Sequence, residues 1–299
     1  MIKVANAPCS WGVLEFEGLG EAAGSAQVLD EIAATGYVGT ELGDWGFMPT
    51  DPPVLAAEVA GRGLALVGAF VPVRLADRAA HAPGIELAVR TARLLAAAGS
   101  GQAVIVLADE NGVNPSRTAH AGRIEPRDSL EERSWRVFAE GADLIARAVR
   151  DAAGLRTVFH PHCAGFVETP WEIDALMTRT DPSLLGLCFD GGHLAYGGGD
   201  PVAILERYLS RVWHVHFKDC HPGVAAEARA NGWDYFAAVR RGLFCELGRG
   251  SVDFAALTAA LRRHRYDGWI VVEQDVLPGM GSPADSARRN RDYLRALGL

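Results

Sequence analysis

Histidines and carboxylates recur in this chain at the ends of short apolar runs. Residues 211–219 read Arg-Val-Trp-His-Val-His-Phe-Lys-Asp, which sets His214 and His216 two positions apart. On a strand that spacing puts both imidazoles on one face. Thr157-Val158-Phe159 leads into His160-Pro161-His162, and Leu185-Gly186-Leu187-Cys188-Phe189 leads into Asp190 and His193. Trp269-Ile270-Val271-Val272 leads into Glu273. Imidazoles and carboxylates together offer two chemistries, mixed N/O ligation of a divalent cation and proton transfer near neutral pH. One histidine at a strand end is ordinarily just a hydrogen-bonded residue. Four equivalent ends call for a common explanation.

The elements that must bring these ends together follow from pattern. Apolar or β-branched runs near 2–8, 37–42, 65–70, 103–107, 156–160, 184–189, 212–217 and 269–273 read as eight strands. They lack in/out polar alternation, as strands covered on both faces do. Helical patterns lie between them. Thr169-Pro170-Trp171-Glu172 combines an N-cap, a first-turn proline and a capping-box glutamate. Asp200-Pro201 and Ser282-Pro283 open two more helices, Ser251 a third, and the alanine-rich stretches 86–98 and 131–153 are helical by propensity. Repeated βα units imply a parallel sheet, and eight of them a closed (β/α)8 barrel, one α/β domain over 1–299. An open doubly wound sheet is the competing fold, but no GxGxxG follows the first strand and no P-loop is present.

Composition narrows the function classes. With 49% hydrophobic and 22% charged residues, there is material for a large core in an ordinary globular protein. The net charge of −8 argues against a duplex nucleic-acid surface and against anionic membranes. Five cysteines without CxxC spacing, no signal-peptide pattern and no membrane-spanning run lead to the expectation of a cytoplasmic protein with reduced thiols. Two long segments, 109–128 and 220–250, follow strands and would form lids or binding walls on the barrel's C-terminal face. Trp233, Tyr235 and Phe236 are expected to be exposed, closing over substrate or forming a contact in a homodimer or tetramer.

In a barrel the C-terminal strand ends converge on one mouth. His160, Asp190, His216 and Glu273 therefore become candidates for a single metal site suited to Mn²⁺ or Co²⁺, with Zn²⁺, Fe²⁺ or Mg²⁺ as alternatives. Whether His160 or its neighbour His162 supplies the first ligand is open from sequence.

Phe189-Asp190-Gly191-Gly192-His193, His214-Val215-His216-Phe217-Lys218-Asp219 and Gly268-Trp269-Ile270-Val271-Val272-Glu273 resemble the signature of the xylose-isomerase-like TIM-barrel superfamily. The resemblance implies one divalent ion held by a glutamate from strand five, an aspartate from strand six, a histidine from strand seven and a glutamate from strand eight. These positions fall on His160, Asp190, His216 and Glu273, with histidine standing where the first glutamate usually does. The run 159–169 and the stretch 242–250 are similar to those of the inosose dehydratase branch. That branch implies dehydration of a keto-inositol (inosose) or a similar polyhydroxy ketone through an enediolate. His162 or Glu273 would be the base, His162 or His193 the acid. Lys218 would steady the enediolate or else pair with Asp219. Glu41 and Trp11 would bind substrate hydroxyls and a sugar face. Ketose isomerisation or epimerisation, a non-catalytic sugar-binding barrel and an abasic-site endonuclease are the competing readings, the last disfavoured by the acidic balance.

Overall fold

A computed structural model describes residues 2–12, 23–99 and 101–299. Eight parallel strands close a barrel: β1 (Lys3–Asn6), β2 (Gly39–Glu41), β3 (Ala65–Val73), β4 (Val104–Asp109), β5 (Arg156–Phe159), β6 (Leu185–Asp190), β7 (Val212–Phe217) and β10 (Trp269–Val272). Between the last two, β8 (Asp219–Cys220) and β9 (Phe244–Cys245) form a separate antiparallel ribbon. The order around the barrel is β1-β10-β7-β6-β5-β4-β3-β2. First and last strands pair from Lys3↔Trp269 to Asn6↔Val272, which closes the ring and removes the open-sheet alternative. All eight expected strands are present. Their ends shift: β3 runs on to Val73 and β4 to Asp109, whereas β10 stops at Val272, just before Glu273.

Register sets the level of the chemistry. Asp190 on β6 lies opposite His216 on β7, and His216 lies opposite Val271 on β10. The first residues past β5 and β10 hold that level, because His160 N–H donates to Leu107 O (2.8 Å) and Glu273 N–H donates to Phe217 O (3.1 Å). Gly192 is required by close approach. A Cβ there would lie 2.9 Å from Lys218 Cγ and 3.0 Å from its carbonyl carbon, so any larger residue would push the helix Gly191–Tyr196 off the end of β7.

The helices start as their caps dictate, with one correction. Thr169 with Glu172, Asp200 and Ser282 cap as expected. The helix assigned to Ser251 instead begins at Phe254, capped by Asp253. Both long segments carry structure of their own. The first holds the helix Pro115–His120, the second the helices Pro222–Asn231 and Tyr235–Val239. Together they pack an apolar cluster that includes Cys163, Tyr196, Tyr235 and Phe244. Tyr235 is therefore buried rather than exposed, and Trp233 and Phe236 are half-buried against the same cluster. Among the described residues, no helix is long and apolar enough to cross a membrane.

Candidate metal and proton-transfer site

The strand ends meet in one place. His160, Asp190, His216 and Glu273 are all buried and offer ligand atoms that lie within 4.8 Å of one another. His160 Nε2 is 3.5 Å from Asp190 Oδ2, which is 3.9 Å from His216 Nδ1; that nitrogen is 3.2 Å from Glu273 Oε1. Asp190 divides its oxygens: Oδ1 accepts His193 N–H (2.8 Å) and caps the following helix. Oδ2, both nitrogens of His160 and His216 Nδ1 have no hydrogen-bond partner among the described residues. Each such buried atom costs about 1–3 kcal/mol, so four in one cluster mark a place built for something else.

The local field favours positive charge. Burial opposes charge on His216, but Cys188, Glu273 and Glu41 outweigh it and raise the imidazole well above its ordinary value. Burial likewise opposes ionisation of Glu273, and His216 and Lys218 outweigh it and hold the carboxyl well below its usual range. Two imidazoles and two carboxylates, with no thiolate among them, form a donor set that fits a divalent ion, which would displace the proton from His216. The residues present fit such an ion, and His160, not His162, is the histidine in the cluster.

Next to the cluster sits a pair of stacked histidines, His162 and His193, with ring centroids 4.1 Å apart. A single residue, Cys163, sets opposite tautomers for them. Its carbonyl can only accept, so His162 Nδ1 carries hydrogen and donates to Cys163 O (2.8 Å), which leaves Nε2 as a lone pair. Its N–H can only donate, and it does so to His193 Nδ1 (3.2 Å), which leaves hydrogen on His193 Nε2. Lys218 Nζ lies 3.4 Å from that nitrogen, but the ammonium donates to Glu273 Oε2 (3.3 Å) and is ion-paired with Asp275 (3.2 Å), so the backbone contact decides. Burial, His160 and Lys218 hold His162 well below the ordinary histidine value. It therefore stands neutral, with a proton-accepting nitrogen.

The cluster opens into a cavity bordered among others by Phe70, Asn111, His162, Lys218, Tyr235 and Asp275. His193 is buried behind that wall and does not line the cavity. Trp11 does not line it either. It ends a 3-10 turn (Pro8–Trp11) rather than a strand, and its Nε1–H donates to Glu31 Oε2 (2.6 Å), which turns the indole into the core. Glu41 borders the cavity, but its Oε1 is engaged by His214 Nε2 (2.7 Å) and His216 Nε2 (2.9 Å). The pairing of Lys218 with Asp219 does not form. Asp219 accepts backbone N–H groups of Cys220, Gly248, Gly250 and Val252 instead. Asp275 was missed as the partner of Lys218, although its two-residue spacing from Glu273 was a usable signal. Asn111, whose Oδ1 is buried without a partner among the described residues, gave no such signal.

Known proteins place the chain in a family. Residues 29–297 match the family described as xylose isomerase-like TIM barrel. An inosose dehydratase of Geobacillus kaustophilus (strain HTA426) is 33% identical over 296 residues, covering 99% of this chain and 94% of that protein. One from Lacticaseibacillus casei is 32% identical over 295 residues, covering 99% and 97%. Among solved structures, an L-ribulose 3-epimerase superposes with a TM-score of 0.72 at 17% identity, covering 99% of this chain and 94% of that one. The 3-keto-D-glucoside 4-epimerase of E. coli gives 0.71 at 17% identity, covering 99% and 100%. The chain is an enzyme belonging to the xylose isomerase-like TIM-barrel family.

Proposed function

We propose that this enzyme removes water from a keto-inositol such as inosose, or from a similar polyhydroxy ketone, with a divalent ion, Mn²⁺ or Co²⁺, held by His160, Asp190, His216 and Glu273. The reading is carried by one observation: four buried, converging ligand atoms stand beside a cavity-lining histidine whose Nε2 is unprotonated. Full-length relatives named inosose dehydratase supply the substrate class. When bound, the ion supplies Lewis acidity at a substrate carbonyl and its neighbouring hydroxyl.

The chain's own residues supply the proton movements. His162 Nε2 takes the proton α to the carbonyl; the C–H electron pair moves toward oxygen and gives an enediolate. Glu273 serves less well as that base, because one of its oxygens would bind the ion and the other accepts from Lys218 (3.3 Å). The Lys218 ammonium is kept charged: burial opposes the charge, but Asp275 and Glu273 outweigh burial and raise its pKa well above the ordinary lysine value. It stabilises the developing negative charge electrostatically. His162, now an imidazolium in a site that disfavours its charge, returns the proton to the departing β-hydroxyl. The C–O bond breaks, water leaves, and the remaining enol becomes a diketone. One imidazole thus acts as base and then as acid, and His193 supports it from behind.

The test is an assay of purified, metal-loaded protein on keto-inositols and on ketoses. Diketone formation, lost in Asp190→Ala together with bound metal, is the expected result. Interconversion of ketoses without loss of water would replace dehydration by epimerisation or isomerisation. Sugar binding without turnover under Mn²⁺, Co²⁺ and Mg²⁺ would reduce the barrel to a binding protein.

A further inference from the structure

Glu41 has a task other than holding substrate. It ends β2, whereas His214 and His216 lie on β7, and the strand order puts β1 and β10 between them. Its side chain therefore spans the barrel lumen as a strut. Its carboxylate is 4% exposed, and one oxygen receives both imidazoles, His214 Nε2 at 2.7 Å and His216 Nε2 at 2.9 Å. Space for that oxygen is made by Gly68 in the middle of β3, where a Cβ would come within 3.1 Å of Glu41 Oε1. A glycine inside a strand weakens it, so its presence there marks a close approach.

Hydrogen-bond logic then fixes the chemistry of His216. A carboxylate accepts, so both Nε2 atoms carry hydrogen. His216 Nδ1, 3.2 Å from Glu273 Oε1 and 3.9 Å from Asp190 Oδ2, is then the one ring nitrogen that becomes a lone pair when a cation displaces its proton. We propose that Glu41 is a positioning residue, which locks His216 in the Nε2–H tautomer and aims its Nδ1 at the divalent ion, while His214 holds Glu41 in place. The inference rests on the metal reading given under Proposed function. It draws on the general behaviour of metal-bound histidines, whose second nitrogen is oriented by an outer carboxylate.

Two measurements test it without using turnover. In the first, chelator-stripped protein is titrated with Co²⁺ and followed by its visible absorption. The native chain is expected to bind one ion and Asp190→Ala none. Glu41→Ala is expected to bind about 10–100-fold more weakly. Glu41→Gln retains an oxygen for both N–H groups and is expected to fall between native and Glu41→Ala. Native affinity in Glu41→Ala overturns the inference alone. So does binding of two ions by the native chain with one lost in Glu41→Ala, since Glu41 would then be a ligand. Absence of Co²⁺ binding by the native chain overturns the metal reading itself. The second measurement needs no variant. Long-range ¹H–¹⁵N spectra of the Zn²⁺-loaded protein should show His216 protonated at Nε2 and bound through Nδ1. Binding through Nε2 overturns the inference even if Glu41→Ala does not fold.

Discussion

Two buried charge clusters lie close to this barrel's mouth, and they treat their polar atoms in opposite ways. In the first, Arg117 and Glu172 are both 0% exposed and form a two-pronged pair, 2.8 and 3.0 Å. Arg117 Nε–H donates to Gly165 O (2.7 Å), and Glu172 also accepts from Ser129 Oγ, Thr169 Oγ1 and the backbone N–H groups of Glu168 and Thr169. In the second, His160, Asp190, His216 and Glu273 are also buried, yet three of the four have atoms without a hydrogen-bond partner among the described residues. Burial and charge are common to both clusters and cannot separate structure from function. Satisfaction can. The Arg117 cluster fastens the 109–128 segment to the segment following β5, which carries His162, whereas the His160 cluster keeps ligand atoms without partners among the described residues.

The largest effect expected is on the completed cluster. Arg117→Ala removes one half of a buried ion pair and should destabilise the fold by about 3–5 kcal/mol. Urea unfolding of metal-free protein measures it, and a loss below about 1 kcal/mol would erase the contrast. The folded fraction should still bind Co²⁺ with native affinity.

Asp190→Ala should do the reverse. Loss of Lewis-acid stabilisation amounts to several kcal/mol, which is on the order of 10³-fold in kcat/KM. Metal-free stability should fall by no more than about 0.5–2 kcal/mol, the cost of losing the Oδ1 cap on the helix Gly191–Tyr196, because the other oxygen removed has no partner among the described residues. A drop well beyond that would make Asp190 a structural residue and end the comparison. His162→Gln comes next: bound metal is kept and kcat falls by about 10²-fold or more, the usual contribution of a proton-transferring group. Unchanged kcat would move the base to Glu273.

Which parts of this were legible in the sequence follows from the range of the signals. The strand Val212–Phe217 is found to the residue, because an apolar run flanked by polar residues is a local pattern, and the two-residue spacing of His214 and His216 is a local pattern too. The convergence of four strand ends follows from the barrel closing. Trp11 misled because an aromatic ring after a strand suits a sugar face. Its indole N–H nonetheless needs a buried acceptor, and Glu31 on the helix Ser25–Ala34 provides one that no local pattern announces. Lys218 with Asp219 was an avoidable error, since adjacent residues in extended chain point to opposite sides. The burial of Arg117 in a segment that reads as a polar loop was out of reach, because its partner lies 55 residues away.

A pH dependence sharpens the comparison at its least balanced member. Glu168 belongs to the Arg117 neighbourhood and accepts N–H from Gly122 (2.6 Å) and Ala164 (3.0 Å), yet its carboxyl is pushed up to about 7. Burial is the main cause; Arg117 and the two N–H groups oppose it without cancelling it. In the unfolded chain the same group ionises near 4.5. Between those values the native protein holds a proton that the unfolded chain has released, so stability must fall as pH rises through that window and level off above it. The slope from this one group is about 1.4 kcal/mol per pH unit, and Asp109, likewise pushed to about 7 by burial, adds a second. Glu168→Gln should remove the first contribution and leave that of Asp109. The difference in unfolding free energy between variant and native protein, followed from pH 4.5 to 7, should therefore change by about 1.4 kcal/mol per unit and be flat above pH 7. A difference independent of pH would mean that Glu168 is ionised throughout, and that the Arg117 cluster neutralises every charge it buries.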